Sequence, residues 1–223
     1  MSKVAVGQVN NPLLDRTFWK GKPSVSEIEQ KIKEGHSPTA MTAFNFDATV
    51  YALLENNSLE IIKYLLSRGN SIDKITHDGR TYLMWAAYKG NLEVMKYLVS
   101  QGAKTDVVDQ HGYSLFMFPA STGQSSTEMY EYMLSDLGVN IKEEKDRKGR
   151  NVLVAYAARL QDFEMVDYFI SKGLDIHSTD AKGNGVFHYA AQTGDEAVMR
   201  KLAEDYRVKT GLNPETNENA ILF

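Results

Sequence analysis

Residues able to carry chemistry are few in this chain, and their spacing serves catalysis poorly. Histidine occurs five times, at His36, His77, His111, His177 and His188. No two fall in the H-x-x-x-H pattern that puts both imidazoles on one helix face, and H-E-x-x-H is absent, so a helical zinc site cannot be assembled. Cysteine is missing altogether, which removes thiolate catalysis, disulfides and Cys-ligated zinc. Gly183-Asn184-Gly185 begins like a phosphate loop, but His188 stands where the third glycine belongs and no strand precedes it. Gly21-Lys22 is followed by Pro23, not by the Ser or Thr of a nucleotide-binding loop. The serines show no G-x-S-x-G turn and no partnered base. Lys142 to Arg150, KEEKDRKGR, holds five basic and three acidic residues and reads as a solvated hairpin tip, able at most to touch an acidic partner. The expectation is no catalytic centre, no metal and no cofactor.

Composition points the same way. A chain of 223 residues is long enough for one large domain or two small ones with a sizeable core. Hydrophobic residues make up 43% and charged residues 24%, the balance of an ordinary globular protein. A net charge of −4 argues against sequence-independent nucleic-acid binding, which needs a basic face. No apolar run is long enough to span a membrane, so no membrane insertion is expected. Near the N-terminus, Ala5-Val6-Gly7 before Gln8 faintly resembles the small-residue end of a signal peptide. A frayed terminus is the simpler reading, and the compartment stays open between cytoplasmic and exported, as to a bacterial periplasm.

The elements that must position these residues come in copies. LEVMKYLVSQG, Leu92 to Gly102, follows thirty-three residues after LEIIKYLLSRG, Leu59 to Gly69. FEMVDYFISKG, Phe163 to Gly173, is a third version, and EMYEYMLSDLG, Glu128 to Gly138, a weaker fourth with Leu137 as an extra residue. Tyr64, Tyr97, Tyr132 and Tyr168 share one position and read as half-buried packing. A second ladder, Gly79, Gly112, Gly149 and Gly183, lies between the copies, and three of its members stand in Asp-x-x-Gly, where glycine and aspartate together suit a tight turn. In Leu92–Gln101 the apolar residues Leu92, Met95, Leu98 and Val99 share one helix face, with Gly102 as the stop. Thr81 is the cap expected for a short preceding helix, and Gly90-Asn91 the turn between the two. Each unit is therefore turn, short helix, tight turn, longer helix. Ala86-Ala87, Ala157-Ala158 and Ala190-Ala191 mark where a neighbouring unit comes close. No unit buries its apolar face alone, so the units must stack.

DGRTYLMWAAYKGNLEVMKYLVSQGA resembles an ankyrin repeat, with Gly79, Thr81, Leu83, Ala86, Ala87, Gly90 and Leu98 on matching positions. GNGVFHYAAQTG, Gly183 to Gly194, matches again and keeps the family's structural histidine as His188. The resemblance implies an all-α fold, an α-solenoid of stacked helix-turn-helix repeats with hairpin turns. Its expected divisions are a disordered or residual targeting segment at 1–12, a degraded capping repeat at 13–42, and repeats near 43–75, 76–108, 109–145, 146–179 and 180–215, with a truncated one at 216–223. The capping repeat rests on Phe18-Trp19 and VSEIEQKIKEG. Departures from the pattern are Tyr82, Leu115 and Val186 where proline is usual, a loop about two residues longer at Gln124–Thr127, and one extra residue near Val154–Tyr156. Pro119 stands at an alanine position and is expected to kink or shorten its helix.

In this family the turn tips and exposed sides of the first helices line a concave docking face for proteins. Carried over, the candidates are His77, Asp78, Arg80, Tyr88 and Lys89 in one repeat, and Gln110, His111, Tyr113 and Thr122 in the next. The third offers Arg147, Lys148, Arg150 and Arg159, and the fourth Lys182, Asn184 and Gln192. His77 and His111, at neighbouring tips but one position out of phase, could share a metal, though solvated turn residues are the simpler reading. Trp85 either reaches the surface or packs between helices, with packing favoured. The resemblance implies a non-catalytic scaffold, monomeric, binding an unidentified protein and no nucleic acid. The alternative is a targeting or regulatory arm of a longer enzyme whose catalytic domain lies outside this chain. It is suggested by NENAILF, which aligns on GNGVFH and then stops as a fragment of a longer solenoid would.

Overall fold

Polar residues placed just ahead of apolar runs start most of the helices. The computed structural model describes residues 11–211, so the expected truncated repeat at 216–223 and most of the expected targeting segment lie outside the described residues. The first pair is α1 (Arg16–Lys20) and α2 (Val25–Lys33), preceded by a single 3-10 turn at Pro12–Leu14. Asp15 caps α1, and Ser24 with Glu27 forms a reciprocal capping box on α2. Trp19 is fully buried and donates its Nε1–H to the Leu13 carbonyl at 3.0 Å, which satisfies its polar edge and ties α1 to the preceding turn.

Five further pairs follow: α3 (Ala48–Leu54) with α4 (Leu59–Ser67), α5 (Tyr82–Tyr88) with α6 (Leu92–Ser100), and α7 (Met117–Ser121) with α8 (Thr127–Ser135). The last two are α9 (Val152–Ala157) with α10 (Glu164–Ser171), and α11 (Val186–Ala190) with α12 (Glu196–Glu204). Asp47, Ser58, Thr81, Asn91, Ser126, Asn151 and Asp195 each accept a backbone amide two or three residues on, at the first turn of their helix. Gly185 has no side chain to do this, and the His188 ring instead reaches back to accept the amide of Gly185 itself on Nδ1 at 3.3 Å.

The short first helices α3, α5, α7, α9 and α11 pack on one another in order, and the outer helices α2, α4 and α6 do likewise. One apolar core runs the length of the stack: Val50, Leu83, Ala86, Met117, Leu153 and Ala190 from the inner helices, Leu65, Leu98, Met133 and Phe169 from the outer ones. Tyr64, Tyr97, Tyr132 and Tyr168 are half-buried against it. Among the described residues the regular structure is helical, and the β features are isolated antiparallel bridges, Met41 with Asp47, Lys145 with Asn151 and Thr179 with Gly185, that pinch the hairpins. The expected α-solenoid is the fold.

Pro119 acts by shortening. Ser114 caps from its side chain, accepting the amides of Phe116 and Met117, yet α7 begins only at Met117, whereas α5 begins directly after Thr81. The Ser114 carbonyl still accepts the Phe118 amide, but Pro119 has no N–H to give the Leu115 carbonyl, so the helical ladder is interrupted at its second rung. The longer loop after α7 is held by Gln124, whose Oε1 accepts the amides of Ser125 and Ser126 and whose Nε2 donates to the Tyr88 carbonyl at 3.1 Å.

Candidate protein-binding face

Each hairpin tip is organised by the aspartate of its Asp-x-x-Gly. Asp109 Oδ1 accepts the amides of His111 and Tyr113, Asp146 Oδ1 those of Lys148 and Arg150, and Asp180 Oδ1 those of Lys182 and Asn184. These three carboxylates are buried, and each aims its other oxygen inward. Asp109 receives Nε of Arg80 at 2.9 Å, Asp146 receives Nε of Arg150 at 2.7 Å, and Asp180 receives the Tyr189 hydroxyl at 2.7 Å. Burial works against the Asp180 charge, but the Tyr189 hydroxyl and the turn amides outweigh it and hold the carboxyl below the ordinary aspartate value. The second hairpin has Thr76 at the corresponding place. Its hydroxyl donates to the Arg80 carbonyl and accepts Nε1–H of Trp85 at 2.8 Å.

The tips also join one another. The Asn45 carbonyl accepts the His77 amide, the Asp78 carbonyl the Gln110 amide, and the Lys148 carbonyl the Ala181 amide. Between the tips at 109–113 and 146–150 there is no such backbone rung among the described residues, and Arg147 substitutes by donating Nη1 to the Gln110 carbonyl at 2.6 Å.

Two of the sixteen candidates therefore do not stand on the outward surface where the sequence pattern puts them. Arg80 and Arg150 are buried, at 8% and 7% exposure. The residue after the turn glycine folds back under the tip, where an aromatic from a first helix covers it. The Arg80 guanidinium lies 4.0 Å from the Phe118 ring and 5.2 Å from that of Trp85, and Arg150 lies 5.0 Å from the Tyr189 ring while donating to the Tyr113 hydroxyl. Trp85 is itself buried, packed edge-on to Tyr88 and Phe118. Repeat position suggested surface; stacking between repeats decides otherwise.

The remaining candidates reach solvent. Gln110, His111, Arg147, Lys148 and Lys182 are exposed on the tips, with His77, Asp78, Tyr113 and Asn184 half-buried beside them. Thr122, Arg159 and Gln192 are exposed at the ends of the first helices, and Tyr88 and Lys89 are half-buried there. His77 and His111 meet on Asp78, not on a metal-like cage: their Nε2 atoms lie 3.4 and 3.1 Å from one carboxylate oxygen, which Arg80 Nη1 also approaches at 3.1 Å. Burial opposes ionisation of Asp78, but His111, His77 and Arg80 outweigh it and hold the carboxyl below its ordinary value. The His77 Nδ1 faces the Phe44 carbonyl at 2.9 Å, so that nitrogen is the protonated donor.

Two grooves gather these residues. One, of about 450 Å³, is lined by Arg147, Lys148, Lys182, Asn184 and Gln192 together with Asp180, Ala181, His188 and Tyr189. A smaller one, about 350 Å³, joins Tyr88, Lys89 and Thr122 to Asn56, Gln124 and Ser125. Tyr189 was absent from the candidates although its place was readable, since it repeats the position of Tyr51, Trp85 and Phe118 in their helices.

Comparison with known proteins agrees with this architecture. No curated protein matches the chain by sequence. A chain from the structure described as the Bd0816 predatory endopeptidase from Bdellovibrio bacteriovorus in complex with immunity protein Bd3460 is similar in fold. It has a TM-score of 0.62 and 21% identity, and the match covers 85% of this chain and 96% of that one. The models for ankyrin repeats in three copies and in many copies match residues 49–145 and 154–203. Repeats of this kind are in general protein–protein interaction modules and typically non-catalytic. Both matched stretches fall on the stacked helix pairs and their hairpins, and the chain belongs to the ankyrin repeat family.

Proposed function

We propose that the chain is a non-catalytic, monomeric binding module that docks a partner protein on the face formed by its hairpin tips and the ends of its first helices. The observation that carries this reading is the division of polar groups. Asp109, Asp146, Arg80 and Arg150 are consumed beneath the tips, while Gln110, His111, Arg147, Lys148, Thr122, Arg159 and Gln192 stand exposed along the same side. Such a face is preorganised, so little conformational entropy is lost on binding, and aromatic and arginine groups in a polar field suit protein recognition. A specific partner would bury on the order of 1,200–2,000 Å² in total. The structure of the similar chain, described as an endopeptidase in complex with an immunity protein, supplies a precedent for this fold in a protein–protein assembly.

The test is capture of partners from the native extract by the wild type and by a Tyr88→Ala/Arg147→Ala/Arg159→Ala variant. Arg80 is left intact because its loss would disturb the stack. Loss of a specific partner with the helical circular dichroism signal retained at the assay temperature is expected; equal recovery of every partner by both proteins overturns the reading.

A further inference from the structure

We propose that the groove between the tips at 146–149 and 180–184 receives an acidic, extended peptide segment of the partner. The inference rests on the concave face being the docking surface and adds the chemistry of what docks there. The rim of this groove is basic. Arg147 and Lys148 are exposed on one side and Lys182 on the other, and Gln192, Ala181 and Tyr189 contribute an amide and apolar surface. The Lys148 ammonium has no partner among the described residues, and Arg147 uses one nitrogen, Nη1, on the Gln110 carbonyl, leaving the rest of its guanidinium for a bidentate carboxylate. The one carboxylate in the lining, Asp180, is buried and already accepts Tyr189 and two turn amides, so it does not neutralise the rim from the solvent side. Arg159 and Lys89, farther along the same face, extend the positive strip.

The opposite face carries an excess of the other sign. Glu60, Glu93, Glu128, Glu164 and Glu196, each in the first turn of an outer helix, are exposed, as are Glu131 and Asp167, and they outnumber Lys63, Lys96, Arg200 and Lys201 on the same helices, with Lys172 paired to Glu131 and Arg200 to Glu196. The whole chain is at −4. A positive groove within a negative molecule attracts a short anionic segment, and the outer carboxylates repel a long polyanion. That contrast favours an acidic peptide over a nucleic acid.

The probe is an acetylated, amidated octaglutamate peptide titrated into the full chain at low salt, with octaglutamine and dT8 as comparisons. Amide chemical shifts should move at Lys148, Ala181, Tyr189 and Gln192. Binding should weaken at least fivefold in Lys148→Glu, weaken again as salt is raised, and stay unchanged in the outer-face Lys63→Glu/Lys96→Glu variant. Octaglutamine should not bind. Lys148→Glu alone carries the result because Arg147 also bridges two tips. Equal weakening by the outer-face variant, or shifts confined to the outer helices, overturns the proposal; so does dT8 binding as tightly with the same dependence on Lys148. If Lys148→Glu leaves capture of the native partner intact while Tyr88→Ala/Arg147→Ala/Arg159→Ala abolishes it, the acidic-segment inference fails and the docking face stands. If neither variant loses the partner, both fail.

Discussion

Arg80 and Arg150 follow turn glycines two repeats apart and do the same work, yet their partners differ in what removal would cost. A guanidinium buried without its carboxylate is an uncompensated charge, worth about 3–5 kcal/mol when one member of a buried pair is lost. Asp109→Ala strips Arg80 of its closest partner and also frees the amides of His111 and Tyr113. Arg80→Met leaves Asp109 with both amides and Asp78 with two histidines. Urea unfolding should therefore show Asp109→Ala as the more destabilising change, and the reverse order would refute the account. Glu144 gives the pH-dependent case. Its carboxyl is raised above the ordinary 4.5 by burial, against the pull of the Ser114 hydroxyl, which donates to it. A raised folded pKa means that the stability contribution is full below the unfolded value and is lost as pH rises through the folded one. Glu144→Gln keeps an acceptor for Ser114 and never ionises. Its thermal midpoint should match the wild type below about pH 4, exceed it increasingly as pH rises through the raised folded pKa, and hold a constant lead above that; a gap that does not change with pH would contradict this. Side chains such as Arg80 and Arg150 were the least legible in the sequence, because Asp109 and Phe118 reach the first, and Tyr113 and Tyr189 the second, from neighbouring repeats.

At the level of elements much more was legible. A thirty-three-residue period, a polar cap before each apolar run and a glycine after it state the same burial problem several times over, and repetition makes each instance readable. Leu92–Ser100 is helix α6 and Thr81 caps α5, as the spacing expects, and Pro119 trims α7 through its missing donor. What spacing could not give is how closely one tip approaches the next. Gly149 (φ 77°) and Gly102 (φ 84°) both adopt left-handed backbone, but a Cβ on Gly149 would stand 3.1 Å from the Ala181 nitrogen, whereas nothing lies within 4 Å of one on Gly102. Alanine at either site meets the left-handed penalty of about 1–2 kcal/mol. Only Gly149→Ala must also displace a neighbouring backbone that is hydrogen-bonded to Lys148. Its loss of stability in thermal melts should exceed that of Gly102→Ala, and equal losses would mean that the tips slide freely. Ala87→Leu belongs to the same class, since Ala87 is fully buried where helices meet; overpacking there should cost roughly 1–3 kcal/mol in a urea titration.

The whole molecule is a line of neighbours, each touching mainly the next, and its stability should be distributed in the same way. The seam between the tips at 109–113 and 146–150 lacks the backbone rung found at the other tip contacts and relies on the Arg147 side chain, while beneath it α7 and α9 remain packed. Both tryptophans, Trp19 and Trp85, lie on the N-terminal side of this seam, so their fluorescence reports that half alone. Phe169 lies on the other side, fully buried against Tyr130 and Tyr156 at ring separations of 5.2 and 5.8 Å. Phe169→Ala should cost about 3–5 kcal/mol locally. In a stack coupled only through adjacent units that loss falls on the C-terminal repeats and, through Tyr130, on the seam itself. The far-ultraviolet circular dichroism transition of Phe169→Ala should then begin at lower denaturant than the tryptophan transition, and Arg147→Ala added to it should widen the separation. Coincident transitions in both variants would show that the seam transmits the full loss and that the chain unfolds as one block.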